Sequence, residues 1–310
     1  MQSNPTPRYF IQRAWIYSRE MFPILMYLPY VVALYACMNF IVQKLSGDEL
    51  VVDQSFYVGL ISAFFMMLLM RTFDDLKDFD LDKELFPHRA TARKAVLRSD
   101  IVAISLVSFL IVLNVNIFFG QLTLPLYAIM ISYCLLTFKW FFAEQFHRNH
   151  IFITMMDHQP IPYVINFFLI HTALASGPQY ESFSSVHLFL WLIVSMPVTA
   201  WEVSRKIRSA DKETTYETFS MVLGVRTATA IPLLFFLATC FMSIYIGYLL
   251  DFSLLFHLFV GVLMAIIVWI YGRFLMYPLD KYNILTKASL LITTALFVNL
   301  FVHTALSFLN

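Results

Sequence analysis

The sequence predicts an all-α, polytopic membrane protein: one transmembrane domain over residues 1–310, built as a bundle of nine transmembrane helices. Three observations carry this. Hydrophobic residues make up 60% of the chain and charged residues 13%, about half the charged share of a water-soluble domain. Apolar runs of about twenty residues recur from end to end, the length that crosses a bilayer as a helix. The basic residues also alternate. With nine spans, all but Lys44 of the 21 Lys and Arg residues fall on one side of the membrane. The positive-inside rule makes that side cytoplasmic, with the N-terminus inside and the C-terminus outside. An integral protein of a bacterial inner (plasma) membrane is expected, with membrane lipids as its surroundings.

The elements follow in order. Arg8, Arg13 and Arg19 precede the first span, Phe22–Val42, which is too long for the apolar core of a cleavable signal peptide. The second span, Phe56–Met70, runs directly into Arg71-Thr-Phe-Asp-Asp-Leu-Lys-Asp-Phe-Asp-Leu-Asp82-Lys-Glu84. No Gly or Pro interrupts this stretch before Pro87, so the helix is expected to continue. On a continued helix Arg71, Asp75, Asp78 and Asp82 share a face and Glu84 points away. Three carboxylates on one face at a membrane edge repel one another and call for a cation. Mg²⁺ suits carboxylate oxygens and bridges readily to a substrate phosphate, which points to a magnesium–diphosphate site. The alternative is a solvated loop whose acids pair with Lys77, Lys83, Arg89 and Arg93.

Spans three to five are Ile101–Phe119, Leu122–Phe142 and Ile161–Ser176. Asp157, His158, Gln159 and Asn166 gather near the start of the fifth, where Asn166 is either a pocket residue or an interhelical hydrogen-bond donor. The sixth span, Val186–Trp201, ends in Trp201-Glu-Val-Ser-Arg-Lys-Ile-Arg-Ser-Ala-Asp-Lys-Glu213. On a continued helix Glu202, Arg205, Lys206 and Ser209 share a face and Arg208 does not. Arg205 and Lys206 can take diphosphate oxygens directly, and Glu202 can hold a second metal. The alternative is an ordinary Glu202–Lys206 helix salt bridge. Spans seven to nine are Thr227–Leu250, Phe252–Tyr271 and Ala288–Leu309. The active-site loops are thus expected on the cytoplasmic side, at about 71–100 and 202–226. Cys37, Cys134 and Cys240 lie inside apolar runs and form no metal or redox pattern. His171, His187, His257 and His303 form none either. The net charge of +1 gives no bias toward nucleic acid, and no nucleic-acid partner is expected.

At its two charged segments the chain resembles the UbiA superfamily of intramembrane prenyltransferases. That family has nine transmembrane helices and two Asp-rich motifs, after helices two and six, on the cytoplasmic side. Its first motif, Asn/Asp-Asp-x-x-Asp-x-x-x-Asp followed by an Arg-Pro segment, is matched by Asp74, Asp75, Asp78 and Asp82. Pro87-His-Arg89 matches the tail, with Ala90 in place of the usual proline. The second motif departs from the family: Glu202 with Arg205, Lys206 and Arg208 replaces the Asp-rich repeat. Tyr216-Glu-Thr-Phe-Ser-Met-Val-Leu-Gly224 is similar to the family's short segment before helix seven.

The resemblance implies transfer of a prenyl group from a prenyl diphosphate to an acceptor, aromatic or lipid-like. Asp74, Asp75, Asp78, Asp82 and Glu202 would hold Mg²⁺ and improve diphosphate as a leaving group. Arg71, Arg205 and Lys206 would stabilise the developing negative charge. Asn166, Arg89, Arg208 and Tyr216 would bind substrate. A dry cavity lined by some of the 32 Phe would protect the allylic carbocation from water. Two other readings stay open. A UbiA-type terpene cyclase would use the same diphosphate site without an acceptor. A transporter would instead carry ionisable groups near mid-bilayer on interrupted helices, whereas here they cluster at span ends.

Overall fold

The computed structural model describes residues 9–47, 49–176, 182–213 and 218–309. Regular structure among them is entirely helical. In chain order the helices are α1 (Phe10–Glu20), α2 (Ile24–Ser46), α3 (Gln54–Lys77), α4 (Phe79–Leu85), α5 (Arg98–Phe119), α6 (Leu124–Phe138) and α7 (Glu144–Asn149). They continue as α8 (Ile151–His158), α9 (Ile161–Leu174), α10 (Ser185–Ser204), α11 (Phe219–Leu223), α12 (Val225–Leu249), α13 (Leu254–Met276) and α14 (Leu285–Ser307).

Among the described residues eight helical stretches are long and apolar enough to cross a membrane: α2, α3, α5, α6 together with the 3-10 turn that precedes it (Gln121–Phe138), α10, α12, α13 and α14. The ninth expected span is α9. Its 14 residues reach only about 21 Å, short of a hydrocarbon core. It is enclosed by protein, however, with residues 168–174 all buried, so its length need not match the bilayer. The nine-helix bundle stands, with one short interior member. α9 packs on α2, α3, α6 and α10, α10 packs along α12, and α14 closes the bundle back onto α2. The three cysteines are buried and free, used as packing groups.

Local sequence explains the ends. Asp53 caps α3 by accepting from the Phe56 N–H at 3.0 Å. α2 stops at Gly47, whose φ of 75° is the left-handed conformation of a helix C-cap. α5 is capped by Asp100, which accepts from the Leu97 N–H at 2.8 Å.

The two ends of the bundle differ in chemistry. The end away from most of the charge is stitched by neutral hydrogen bonds between helices. Asn39 Nδ2 donates to Ser176 Oγ at 2.9 Å, Ser55 Oγ to the Ala175 carbonyl at 3.0 Å and Gln54 Nε2 to the Phe119 carbonyl at 3.1 Å. The Tyr35 hydroxyl meets Thr172 Oγ1 at 3.0 Å. Tyr35 lies flat against Gly59 of α3, where any Cβ would overlap its phenol ring. Lys44 is at this end too, donating to the Ser307 carbonyl and so holding the last turn of α14. These pairings confirm the alternation of helix ends read from the basic residues.

Two expectations about helix continuity are corrected. α3 does not run unbroken to Pro87: it bends at Asp78 (φ −96°, ψ 10°), and α4 resumes at Phe79. The Asp82 N–H still donates to the Asp78 carbonyl at 2.7 Å, so the bend is one residue wide. α10 ends at Ser204 with no Gly or Pro to stop it. The Phe219 N–H takes the Lys206 carbonyl at 3.0 Å, and Asn283 Nδ2 takes the Ile207 carbonyl at 2.9 Å. Tertiary donors thus satisfy carbonyls that a continued helix would have used. Ser209 consequently leaves the face of Glu202 and is buried.

Candidate functional site

The charged end gathers the ends of α3 and α10, with α4, the 86–97 loop and α1 around them. α3 places Arg71 and Asp75 one turn apart on one face. Arg71 Nη2 lies 2.7 Å from Asp75 Oδ1. The second carboxylate oxygen of Asp75 accepts from the Tyr17 hydroxyl at 2.8 Å. Asp75 is thereby neutralised and held, with its side chain only 2% exposed. Burial and the Asp75 charge raise the Tyr17 phenol well above its ordinary range, so it acts as a donor throughout.

Asp82, past the bend, pairs with Arg89, whose guanidinium lies 4.3 Å over the Phe86 ring. Asp74 is exposed and Asp78 half-buried, and neither makes an ion pair with a described residue. The Asp78 carboxyl sits above the usual carboxylate range, first because it is buried and then because Asp74 and Asp82 repel its charge. Lys77 and Lys206 pull it the other way. Lys206 of α10 is thus near enough to the end of α3 for its charge to be felt at Asp78.

At α10, Glu202 accepts from Arg205 through both carboxylate oxygens, one contact being Nη2 to Oε1 at 2.7 Å. Lys206 Nζ approaches Oε1 at 3.2 Å. The salt bridge weighed from sequence is therefore present, with Arg205 added to it. Glu202 is thus engaged by two cations.

The five carboxylates expected to share in metal binding do not form one cage. Among the described residues no three carboxylate, imidazole or thiol groups converge as a metal site. Asp75, Asp82 and Glu202 are satisfied by basic partners. Asp74 and Asp78, one helical turn apart, remain as hard oxygen donors. Two carboxylates completed by water and phosphate oxygens form the kind of set that Mg²⁺ accepts, so the residues present fit the ion at this reduced site.

Of the expected substrate ligands, Arg89 and Arg208 lie at the charged end. Asn166 does not act there: its amide donates to the Val194 carbonyl and Ser195 Oγ, both at 3.2 Å, across the α9–α10 seam. The structural reading of Asn166 is the one the geometry supports. Tyr216 lies outside the described residues.

Sequence reasoning missed several participants. Lys77 Nζ donates to His158 Nε2 at 2.7 Å and lies 4.0 Å over the Trp140 ring. His158 donates from Nδ1 to the Thr154 carbonyl at 2.7 Å. Burial, then Lys77, pushes this imidazole down to about 4, so it is neutral. Glu213 accepts from Thr218 Oγ1 at 2.9 and 3.0 Å and from Ser220 Oγ at 2.6 Å, tying Glu213 to the start of α11. Their only sequence signal was membership of a polar stretch at a span end.

Beneath the charged rim is a narrow apolar pocket of only about 20 Å³, lined by Tyr27, Tyr30, Met67, Val198, Trp201, Leu290 and Thr293. Met67 is one turn before Arg71, and Val198 one turn before Glu202, so the pocket lies directly under both charged segments. A wider cavity of about 350 Å³, lined by residues that include Gln54, Ser55, Gly120 and Thr172, is at the opposite end, remote from the charges.

The model of the UbiA prenyltransferase family matches residues 22–301. The solved structure of a digeranylgeranylglyceryl phosphate synthase superposes with a TM-score of 0.63 at 12% identity, covering 94% of this chain and 98% of that one. The apo structure of a UbiA homologue from Aeropyrum pernix K1 gives a TM-score of 0.60 at 13% identity, covering 84% and 94%. Sequence comparison with curated proteins gives no match.

Proposed function

The chain belongs to the UbiA prenyltransferase family, and on that premise we propose that it transfers a prenyl group from a prenyl diphosphate to an aromatic or lipid-like acceptor, with magnesium assisting departure of diphosphate. The observation that carries the reading is the stacking of a charged rim on an apolar pocket at one end of the bundle. A prenyl diphosphate has the same division: a diphosphate group of up to three negative charges joined to a hydrocarbon chain.

In this reading Arg205, Lys206 and Arg71 face the diphosphate and stabilise the charge that grows on it as the allylic C–O bond breaks. Asp75 and Tyr17 hold Arg71, and Glu202 holds Arg205 and Lys206. The cations are thus oriented before substrate arrives. Asp74 and Asp78 would hold Mg²⁺, which supplies further charge neutralisation at the leaving group. Tyr27, Tyr30 and Trp201 exclude water from the allylic carbon and offer ring faces to the cation. The acceptor's nucleophilic carbon or oxygen forms the new bond and loses a proton. By the positive-inside rule the site opens on the cytoplasmic face of the plasma membrane.

The test is incubation of the protein in lipid with prenyl diphosphates of graded length, with and without acceptors and with and without EDTA, followed by mass spectrometry. Acceptor-dependent prenylated product, lost in EDTA, is the expected result. Cyclised hydrocarbon without acceptor would point to a terpene cyclase. No diphosphate release from any substrate would overturn the reading.

A further inference from the structure

α1 is outside the nine-helix bundle, yet one of its side chains reaches the first acidic cluster. Its inner face is held at two points. Arg13 forms a two-pronged contact with Asp100 at the start of α5, Nε to Oδ2 at 2.7 Å and Nη2 to Oδ1 at 2.9 Å. One turn further on, Tyr17 is 1% exposed and gives its hydroxyl to Asp75. Between these anchors the helix rests on an apolar cluster of Tyr17, Met21 and Phe22 with Phe79, Val96 and Ile101.

The outer face is unlike that of a helix bathed in water. Phe10, Ile11 and Trp15 are 44%, 79% and 63% exposed. The apolar surface continues into the first turn of α2, where Leu25 is 92% and Met26 60% exposed. α2 is a membrane-spanning helix, so its exposed start is lipid-facing, and only residues 21–23 separate α1 from it. Arg19 and Gln12 flank the stripe on the polar side. An aromatic and aliphatic stripe with a basic margin, joined to a spanning helix, suits the boundary between headgroups and acyl chains.

We propose that α1 is an interfacial clamp: its outer face is seated in the lipid surface, and its inner face delivers Tyr17 to Asp75, making Tyr17 a positioning residue for the reaction site. The second half rests on the prenyl-transfer reading of the acidic cluster. Tyr17 touches no substrate group. It acts by fixing Asp75, and through Asp75 the guanidinium of Arg71. Seating in lipid and orientation of Arg71 are thereby linked, and lifting α1 from the surface disorders the rim.

The test has two arms. In the first, Ile11→Cys is labelled with bimane in lipid nanodiscs; the native cysteines are buried and do not compete. Quenching by shallow spin-labelled lipids, with little quenching by aqueous iodide, is expected. Strong iodide quenching, or protection from both quenchers as a second copy of the chain would give, overturns the seating. In the second arm Tyr17→Phe and Trp15→Glu are each expected to lower kcat about tenfold per folded enzyme, the value of one hydrogen bond to a charged group. KM for prenyl diphosphate should change less than twofold in each. The double variant should be no worse than either single one, because both break the same link. Multiplied losses, or loss matched by a fallen melting temperature alone, overturn the positioning role. A wild type inactive on every prenyl diphosphate would sink the proposed function, while the quenching arm would still decide whether α1 is seated in lipid.

Discussion

Asp75→Asn and Asp78→Asn remove the same charge three residues apart, yet should move stability and turnover differently. Asp75 is 2% exposed and bonded to both Arg71 and Tyr17. Breaking a buried ion pair costs about 3–5 kcal/mol. Arg71 is 26% exposed and regains some hydration, which brings the expected cost to about 2–3 kcal/mol. Asp78 makes no such pair, and its neighbours Asp74 and Asp82 repel it. Like charges one helical turn apart are worth about 0.2–0.5 kcal/mol each, so Asp78→Asn should leave stability unchanged or raise it by up to about 1 kcal/mol. Turnover should move the other way, falling at least about a hundredfold when a metal-holding oxygen is lost, equivalent to about 3 kcal/mol. The assay is a thermal melt in detergent beside a magnesium titration of prenyl transfer for both variants. Asp78→Asn with more than a third of wild-type turnover, or with a destabilisation equal to that of Asp75→Asn, would refute the division into a structural and a metal-facing carboxylate.

Other expectations follow from the same contacts. The depressed His158 pKa, about 4 against an ordinary 6.5, means the unfolded chain binds a proton that the folded one refuses. Its contribution is present above about pH 6.5 and lost as pH falls toward 4, no more than about 3 kcal/mol in all; His158→Gln should flatten the melting curve's pH dependence in that window. Arg205→Ala and Lys206→Ala should each raise the prenyl diphosphate Kd about ten- to a hundredfold. With Glu202 already bonded to both cations, Glu202→Gln should leave the magnesium requirement in place; unchanged Kd in both basic variants would confine the chemistry to the first cluster. Asn166→Ala should cost about 1 kcal/mol of stability with KM unaffected, and a raised KM would return Asn166 to the substrate pocket. Cysteine reporters near Gly120 should be labelled from outside the cell and reporters at Lys83 and Lys212 should not; the reverse would invert the site's orientation.

The bundle was legible because its determinants are local. Twenty-residue apolar runs and the segregation of basic residues depend on no distant partner, so the helix order and the pairing of ends could be read directly. The Arg71–Asp75 and Glu202–Lys206 pairs were legible for the same reason, being one turn apart on helices. What escaped was long-range. Tyr17 and Asp75 are separated by 58 residues, and no periodicity connects them. The end of α10 at Ser204 was hidden because the groups that cap it, the Phe219 N–H and Asn283 amide, come from later in the chain. Which of the five acidic side chains would be left without a basic partner depended on where Arg71, Arg89 and Arg205 finally lay.

The close approach of α2 and α3 at Gly59 has a mechanical consequence. With Tyr35 against bare backbone and neutral hydrogen bonds joining the surrounding helices, that end behaves as a pivot, and small rotations about it are amplified along each helix. α3 has 24 residues, about 36 Å of rod. A tilt of about 5° at Gly59 therefore sweeps Arg71, Asp75 and Lys77, about 18–27 Å along the rod, through about 2 Å, enough to make or break a hydrogen bond at the rim. A methyl group added at Gly59 would force such a tilt, so a substitution near the far membrane face is expected to be felt as altered chemistry at this one.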